Sequence, residues 1–427
     1  MLKREYTFIE TFAGAGGSHQ GFKNAGFKTN YATDAEENMI KTSKYNNKDI
    51  PEKNLVVEDI KNVSAKKILR IGKLKKGELD VLFGGIVCKG FSLAGVRDPT
   101  DPRNKFYKEQ LRLVEGLAPK ISIIENVPAM QSMIIADKGL HEEKSEKISE
   151  IFQKLKNYNG IKSIRTKKGE KLSKEEIKHI NELKDERNKL ISTLKNNSIK
   201  IFDDIKRIYN NLSYDIKIKK LNAADYGAAT KRERIFIVAV RRDLNINFEW
   251  PKKTHLKKEQ IDLSNFIRGN KKSEQYVTVN NALSKLDICG INAPEIDEDN
   301  KPMNHNGKSI RRFKLIPEGK NIVTVLNQLP SDLKISKFYS RGCTMRLAGD
   351  KPAPTLVPGH SNFPVHPREH RSITVREAAI ITGFPINYKF FGSHTSRCSQ
   401  VGNAVPIKLA EAIAKQAKKA LINYYKN

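Results

Sequence analysis

The chain has 427 residues, a length that allows two domains or one large domain with an insertion. Its 78 lysines and arginines against 48 aspartates and glutamates give a formal net charge of +30 at pH 7, far more than solubility requires. Nucleic acid is therefore the first candidate partner, although a lysine-rich compositional habit of the source organism would produce part of this excess.

The four cysteines, Cys88, Cys289, Cys343 and Cys398, have no paired short spacing. This argues against a disulfide scaffold and against a zinc site of the Cys-x-x-Cys type. The chain begins with charged residues rather than an apolar signal core, and no apolar run approaches membrane length. We therefore expect a soluble, cytoplasmic protein that does not enter a membrane.

Over the first 130 residues, short apolar runs alternate with amphipathic stretches, which is typical of a parallel sheet with crossover helices. We therefore predict an α/β fold with an open, mostly parallel sheet and helices on both faces. Ligands of such sheets bind at the carboxyl ends of the strands. The predicted strands are 7–11, 28–32, 55–57, 80–83 and 122–125, followed by about 215–221 and 235–240.

Residues 134–213 are rich in lysine and glutamate and have helical periodicity. Asn159-Gly160 is expected to end the first of three helices, and Ser173 with Glu176 has the capping-box spacing that opens the second. We interpret this segment as a solvated helical hairpin packed on the core. A helical arm that contacts DNA or a partner protein is the alternative.

The remaining segments differ in pattern. Residues 242–370 have irregular periodicity with scattered prolines, glycines, basic and aromatic residues, which predicts a smaller domain of loops and short strands. Residues 371–427 return to helical patterning. We thus expect a first domain at 1–241 that carries the helical insertion, a second domain at 242–370, and a C-terminal segment that returns to the first domain.

A glycine-rich turn, Phe-Ala-Gly-Ala-Gly-Gly at 12–17, lies between the first predicted strand and a helix. Glycines there allow close approach of a ligand and leave amide groups free at a helix start. Asp34 follows Gly14 by 20 residues (34 − 14 = 20), the spacing of an acid that binds ribose hydroxyls, and Asp59 ends the third strand. The pattern favours a nucleoside-containing cofactor over a purely structural turn.

Cys88 follows the paired glycines that end the fourth strand and precedes Lys89, which would favour its thiolate form. An isolated cysteine is more often a small core residue, so from the local sequence a nucleophile and a core residue remain equally supported. Glu125 closes the fifth strand and is a general acid, a helix cap or a surface residue. If the fourth and fifth strands are neighbours, Cys88 and Glu125 converge on one pocket.

Arg232 and Arg234 lie two residues apart where the chain leads into the seventh strand, and in extended chain they therefore share one face. Two guanidiniums in a pocket would suit base oxygens or phosphates, whereas a solvated basic edge is the usual fate of such a run. The turn Ser-Gln-Val-Gly-Asn-Ala-Val-Pro at 399–406 opens the final helix with ordinary helix-start chemistry.

The order of these motifs resembles the cytosine-5 DNA methyltransferase family over residues 5–130, 220–240 and 370–425. Six motifs are similar: the glycine turn, the Gly-Gly-x-x-Cys-x-Gly-Phe-Ser loop around Cys88, Glu125-Asn126-Val127, Arg232-x-Arg234, Thr374-x-Arg-Glu-Ala378 with Gly383-Phe-Pro385, and Gly402-Asn-Ala-Val-Pro406. The chain has Val87 and Lys89 where the family usually has Pro and Gln, Thr230 in place of a Gln, and Ala35 in place of an aromatic residue.

The resemblance implies a Rossmann-like methyltransferase fold and a specific chemistry. Cys88 would attack a cytosine flipped out of the duplex, Glu125 would protonate its ring nitrogen, and Arg234, supported by Arg232, would hold its carbonyl oxygen. S-adenosylmethionine would be the cofactor, and no metal is implied. The implied cofactor-binding residues are Phe12, Gly14, Gly16, Asp34, Asp59, Asn403 and Val405, and the implied DNA-binding residues are Lys89, Ser92 and Arg97.

The resemblance also implies partners. The substrate would be double-stranded DNA, read by residues 242–370 as a target-recognition domain. A separately acting restriction endonuclease and a monomeric state would be typical of the family. The alternatives are a transfer-RNA cytosine-5 methyltransferase and a non-catalytic DNA-binding relative.

Overall fold

The computed structural model describes residues 4–86, 102–136, 142–167, 172–194, 198–261, 274–288, 297–335, 342–359 and 363–426. The chain folds as two compact units. One unit comprises residues 1–85, 113–125 and 215–427, and the other comprises 86–112 and 126–214. Residues 242–370 thus belong to the unit that contains most of the sheet, and their role as a target-recognition domain remains a prediction.

The strands, in chain order, confirm all seven predicted ones to within about two residues at each end. They are β1 (Tyr6–Thr11), β2 (Phe27–Asp34), β3 (Leu55–Val57), β4 (Val81–Gly85), β5 (Ile121–Asn126), β6 (Ile134–Ala136), β7 (Ser198–Lys200), β8 (Tyr214–Asn222), β9 (Glu233–Arg241), β10 (His255–Leu256) and β11 (Glu274–Gln275). The short strands β6, β7, β10 and β11 were not predicted individually.

Helices alternate with the strands and then dominate the last part of the chain. They are α1 (Gly17–Asn24), α2 (Glu37–Asn46), α3 (Ala65–Gly72), α4 (Phe106–Leu117), α5 (Glu142–Lys167), α6 (Lys174–Leu194), α7 (Ile201–Asn211), α8 (Val279–Ile288), α9 (Gly307–Leu315), α10 (Val375–Thr382), α11 (His394–Asn403) and α12 (Ile407–Lys426). None of the helices in the described ranges is long and apolar enough to cross a lipid bilayer.

Seven strands form one sheet in the order β3-β2-β1-β4-β5-β9-β8. β1 pairs in parallel with β2 on one side and with β4 on the other, and β4 pairs in parallel with β5. The chain therefore adds β2 and β3 on one side of β1 and then crosses to add β4 on the other side. The switch point of the sheet lies between β1 and β4. Such a switch point is where open α/β sheets bind ligands, and the predicted α/β fold is confirmed.

The C-terminal helix, α12, packs on β1 and α1. Phe8 of β1 stacks on Phe22 of α1 with ring centroids 4.2 Å apart, and Ile413 of α12 belongs to the same buried cluster. Lys418 of α12 also donates to the carbonyl of Ala25, directly after α1, at 2.8 Å. This packing carries the segment before α12 to the edge where β1 ends.

The helical insertion begins its second helix as predicted but does not end its first helix as predicted. The Glu176 amide donates to the Ser173 hydroxyl at 3.1 Å, and the Ser173 amide donates to the Glu176 carboxylate at 2.8 Å, which is a capping box. However, α5 continues through Gly160 to Lys167, so the predicted stop is wrong. A glycine costs a helix only about 1 kcal/mol, whereas Arg165, beyond it, pairs with Glu176 at 2.6 Å.

Candidate active site

The glycine-rich turn at 12–17 lies at the carboxyl end of β1. Phe12 and Gly14 have φ angles of +53° and +56°, so the chain turns through left-handed conformations. The Gly14 amide donates to Oδ2 of Asp34 at 2.9 Å, which joins the turn to the end of β2. A Cβ atom built at Gly14 would meet no described atom within 4 Å, so this side of the turn is open to a ligand.

Two predicted cofactor acids, Asp34 and Asp59, follow the neighbouring strands β2 and β3. Burial raises the pKa of Asp34, and hydrogen bonds from the amides of Glu36 and Gly14 oppose that rise. Asp59 is exposed. The amide of Glu58, beside it, donates to the Asp34 carbonyl at 2.9 Å, so both acids lie at the same edge of the sheet.

Asn403 and Val405 come from the connection between α11 and α12. Asn403 is exposed and Val405 is buried. The Val405 carbonyl oxygen lies 2.6 Å from the place where a Cβ atom of Gly17 would be, so this connection contacts the start of α1. A Cβ atom at Gly16, where φ is +88°, would lie 2.6 Å from the Tyr388 hydroxyl. The C-terminal segment therefore covers one side of the glycine turn.

Glu125 closes β5 and faces Arg234 of β9, the adjacent strand. Nε of Arg234 lies 2.9 Å from Oε1 of Glu125, and the two side chains are 10% and 8% exposed. Burial raises the pKa of Glu125, while the charges of Arg234 and Arg232 lower it. A buried carboxyl with a raised pKa is suited to general acid chemistry.

Arg232 and Arg234 lie on one face of the chain where it enters β9, as predicted. Both are buried, and Glu233 between them is exposed. Arg232 is 2% exposed and donates through Nη1 to the Leu356 carbonyl at 3.1 Å. The alternative of a solvated basic edge is therefore wrong for these two arginines.

Gly85, the last residue of β4, lies between the glycine turn and Glu125. It is opposite Glu125 in the register of β4 and β5, so these strands are neighbours, which is the condition for Cys88 and Glu125 to converge on one pocket. Its Cβ position would be 3.6 Å from the Phe12 carbonyl oxygen and 3.8 Å from Oε2 of Glu125. The structure thus brings the glycine turn and the candidate acid together at the switch point of the sheet.

The predicted nucleophile loop lies outside the described residues. It carries Cys88 and the three predicted DNA-binding residues, Lys89, Ser92 and Arg97. Ile86 is the last described residue before it, and its carbonyl accepts a hydrogen bond from the Asn126 side chain at 3.1 Å. This bond joins Ile86 to the end of β5, and the roles of the four loop residues remain predictions.

Sequence reasoning missed Glu10, which precedes the last residue of β1. Its side chain is fully buried; Oε1 accepts a hydrogen bond from the Ser18 hydroxyl, and Oε2 accepts none from a described residue. Burial raises the pKa of Glu10 to about 8. A glutamate in an otherwise uncharged strand beside the glycine turn was the available signal, because a buried carboxylate is costly.

One described group has the composition of a metal site. Single ligand atoms of His366, Glu369 and Glu377 all lie within 4.8 Å of one another. Arg371 donates to Glu369 at 2.8 Å and to Glu377 at 2.7 Å, so both carboxylates already bind its guanidinium. This arrangement is a structural ion-pair network, and the absence of a metal requirement remains a prediction.

Comparison with known proteins gives consistent matches along the chain. The family model described as C-5 cytosine-specific DNA methylase matches residues 6–160 and 188–419. Type II methyltransferase M.DdeI of Desulfomicrobium norvegicum is 27% identical over 438 aligned residues, which cover 96% of this chain and 87% of that protein. Type II methyltransferase M1.HphI of Haemophilus parahaemolyticus is 26% identical, with 98% and 88% covered.

Two solved structures have the same fold. A DNA modification methyltransferase encoded within an Escherichia coli prophage aligns with a TM-score of 0.54 at 23% identity, over 99% of this chain and 100% of that one. Entamoeba histolytica methyltransferase EhMeth aligns with a TM-score of 0.51 at 15% identity, over 98% and 99% of the two chains. At these identities the likeness supports the fold alone.

Proposed function

The chain belongs to the family of C-5 cytosine-specific DNA methylases, and from this premise we propose how it methylates DNA. We infer that it transfers a methyl group from S-adenosylmethionine to carbon 5 of a cytosine flipped out of a specific duplex site. The observation that carries this proposal is the buried pair of Glu125 and Arg234 beside the glycine turn. A carboxyl group and a guanidinium match the ring nitrogen and the carbonyl oxygen of cytosine.

The residues around the glycine turn fit S-adenosylmethionine. The open side of Gly14 and the Asp34 carboxylate at the next strand end offer a cradle for a nucleoside. When bound, the cofactor supplies an electrophilic methyl group on a sulfonium sulfur. By family resemblance, Phe12 stacks on the adenine, Asp34 binds the ribose, Asp59 binds the adenine amino group, and Gly16, Asn403 and Val405 complete the site.

Glu125 and the two arginines prepare the cytosine for attack. Because its pKa is raised, Glu125 can donate a proton to the ring nitrogen beside the amino group, which withdraws electrons from carbon 6. Arg234 donates to the base carbonyl oxygen. Arg232, which donates to the Leu356 carbonyl, keeps the start of β9 in position.

The covalent steps begin with free Cys88 and end by releasing it. The Cys88 thiolate would add to carbon 6, and carbon 5 would then take the methyl group that the bound cofactor supplies, with S-adenosylhomocysteine as the leaving group. A water molecule would accept the proton from carbon 5, so that the ring double bond reforms, Cys88 is expelled as thiolate and the proton on the ring nitrogen returns to Glu125. Lys89 would favour the thiolate before the attack.

Bisulfite sequencing of DNA from cells that express the gene tests this proposal and identifies the target. Wild-type protein should protect cytosine at one recurring sequence, and the Cys88→Ser variant should protect none. Cys398→Ala is the control because Cys398 is buried in α11, outside residues 242–370 and not among the proposed site residues, so it should retain protection.

Three results would contradict the proposal. Purified protein that binds S-adenosylmethionine but labels no DNA would be a non-catalytic relative. Faster methylation of transfer RNA than of duplex DNA would favour the RNA enzyme. Protection that survives in Cys88→Ser would exclude the covalent mechanism.

We further propose that the enzyme acts as a cytoplasmic monomer beside a separate restriction endonuclease. Light scattering of the protein with and without duplex DNA should give the mass of one chain. DNA from cells that express the wild type should resist an endonuclease with the same site, and DNA from Cys88→Ser cells should be cut. A stable dimer, or cutting of both DNAs, would contradict this part.

A further inference from the structure

A cluster of lysines and aromatic rings lies on the surface where α2 meets the loop before α11. We call it the α2 patch and define it as Lys41, Tyr45, Lys48, Lys389 and Phe391. Tyr45 is 48% exposed, and its ring centroid lies 5.1 Å from that of Phe391. Large aromatic side chains on a surface are typical of contact sites when they lie together and charged groups surround them.

The three lysines of the α2 patch surround the two rings. Nζ of Lys41 lies 5.2 Å from the Phe391 centroid, and Nζ of Lys48 lies 5.6 Å from the Tyr45 centroid. Nζ of Lys389 lies 5.6 Å from Tyr45 and 5.7 Å from Phe391. Cation–π contacts at exposed sites contribute only about 0.5–1 kcal/mol each, so they do not neutralise the three charges.

No described carboxylate pairs with these lysines. The nearest acid in sequence, Asp49, is taken by Lys23 at 2.5 Å. All three patch lysines are exposed, so their repulsion is relieved only by solvent and salt. Three adjacent cations without a described acidic partner create a local potential that attracts an anion with repeated charges.

Four hydrogen bonds, two exposed and two partly buried, hold the backbone of the α2 patch in one geometry. The Asn46 side chain donates to the Lys389 carbonyl at 2.8 Å and accepts from the Lys389 amide at 2.9 Å. The Phe391 amide donates to the Thr42 hydroxyl at 3.0 Å, and its carbonyl accepts from Gln400 at 2.6 Å. A face that only keeps the protein soluble needs no such fixation, whereas a binding surface gains affinity from it.

We propose that the α2 patch binds the phosphate backbone of duplex DNA outside the target site. The proposal rests on duplex DNA being the substrate, and the chain's net charge of +30 favours a long polyanion over an acidic protein surface. The lysines contact phosphates, and the fixed rings keep their stems extended over the surface. Contacts of this kind lengthen residence on DNA without reading its sequence.

The test compares the variant Lys41→Ala/Lys48→Ala/Lys389→Ala with the wild type on two duplexes that are centred on the methylated sequence. One duplex has 60 base pairs, about six helical turns, and the other has 12 base pairs, about one turn. Affinity for the long duplex should fall by about tenfold or more, and the slope of log affinity against log salt should decrease by about 0.9 for each lost phosphate contact. Affinity for the short duplex and methyl transfer to it should not change.

Two control proteins separate the patch from general charge. Lys66→Ala/Lys75→Ala/Lys76→Ala removes three exposed lysines near α3 and should retain the wild-type salt slope. Lys41→Arg/Lys48→Arg/Lys389→Arg should bind like the wild type. An equal loss in the α3 control, an unchanged slope in the patch variant, or a loss only for anionic vesicles would overturn the proposal. If the wild type transfers no methyl group, the proposed function fails. The binding comparison still tests whether the α2 patch binds DNA.

Discussion

Replacing Arg234 with methionine removes the cation that faces Glu125 while it keeps an unbranched side chain. The two groups are 2.9 Å apart and 10% and 8% exposed, and removal of one partner from such a buried pair typically costs about 3–5 kcal/mol. Arg232 still lowers the pKa of Glu125, so we expect the lower end, about 3 kcal/mol at pH 8. Glu125→Gln in the same chain should recover most of this loss, because no buried charge then remains.

The loss should depend on pH in a fixed direction. Loss of Arg234 raises the folded pKa of Glu125 further, so the folded state binds more protons than the unfolded one and stability falls as pH rises between the two pKa values. A single group gives a slope of at most about 1.4 kcal/mol per pH unit. Chemical denaturation from pH 5.5 to 8.5 should therefore show a smaller deficit at the acid end.

The control for this experiment is an exposed ion pair that joins β9 to its other neighbour, β8. Lys220 and Glu233 lie 3.2 Å apart but are 49% and 51% exposed, so Lys220→Met should cost less than about 1 kcal/mol. A deficit in Arg234→Met that is the same at every pH, or that Glu125→Gln increases, would refute the reasoning.

Three further predictions concern the glycine turn. Asp34→Ala should weaken S-adenosylmethionine binding by about 10–100-fold in calorimetry, because hydrogen bonds to a charged group contribute about 1.5–3 kcal/mol; unchanged affinity would exclude Asp34 from the site. Gly16→Ala should lower the free energy of unfolding by about 1–3 kcal/mol, since φ is +88° and the new Cβ would lie 2.6 Å from the Tyr388 hydroxyl. Tyr388→Phe should relieve part of that loss, and an additive effect would argue against the clash. Because the folded pKa of Glu10 is about 8, its contribution to stability should fall as pH rises from about 4.5 to about 8, so the stability of Glu10→Gln relative to the wild type should increase over this range in denaturation experiments; a constant difference between the two proteins would contradict the assignment.

Most of the sheet was predictable because strands that are buried on both faces are continuous apolar runs. Ile121–Asn126 and Glu233–Arg241 are nearly all buried, and both were predicted. The shared face of Arg232 and Arg234 followed from the two-residue period of a strand. These features are local, so a single sequence contains them.

The contacts between distant strands were not predictable in the same way. Glu125 and Arg234 meet only because β9 lies beside β5, and the chain between them contains the whole helical insertion. Glu10 was missed because its burial depends on Ser18 and α1 covering the end of β1. The extension of α5 past Gly160 was missed because a glycine costs a helix only about 1 kcal/mol, and the residues beyond it make a contact that the local sequence does not show, between Arg165 and Glu176.

The central claim, that this chain methylates cytosine in DNA through Cys88, is tested most directly by covalent trapping. The protein and S-adenosylmethionine are incubated with duplex DNA in which 5-fluorocytosine replaces cytosine, so that the fluorine at carbon 5 prevents release of the enzyme. Peptide mapping by mass spectrometry should find the DNA attached at Cys88, with much less adduct in Glu125→Gln. DNA attached at Cys343 or Cys398, or no adduct in protein that binds both DNA and cofactor, would contradict the account.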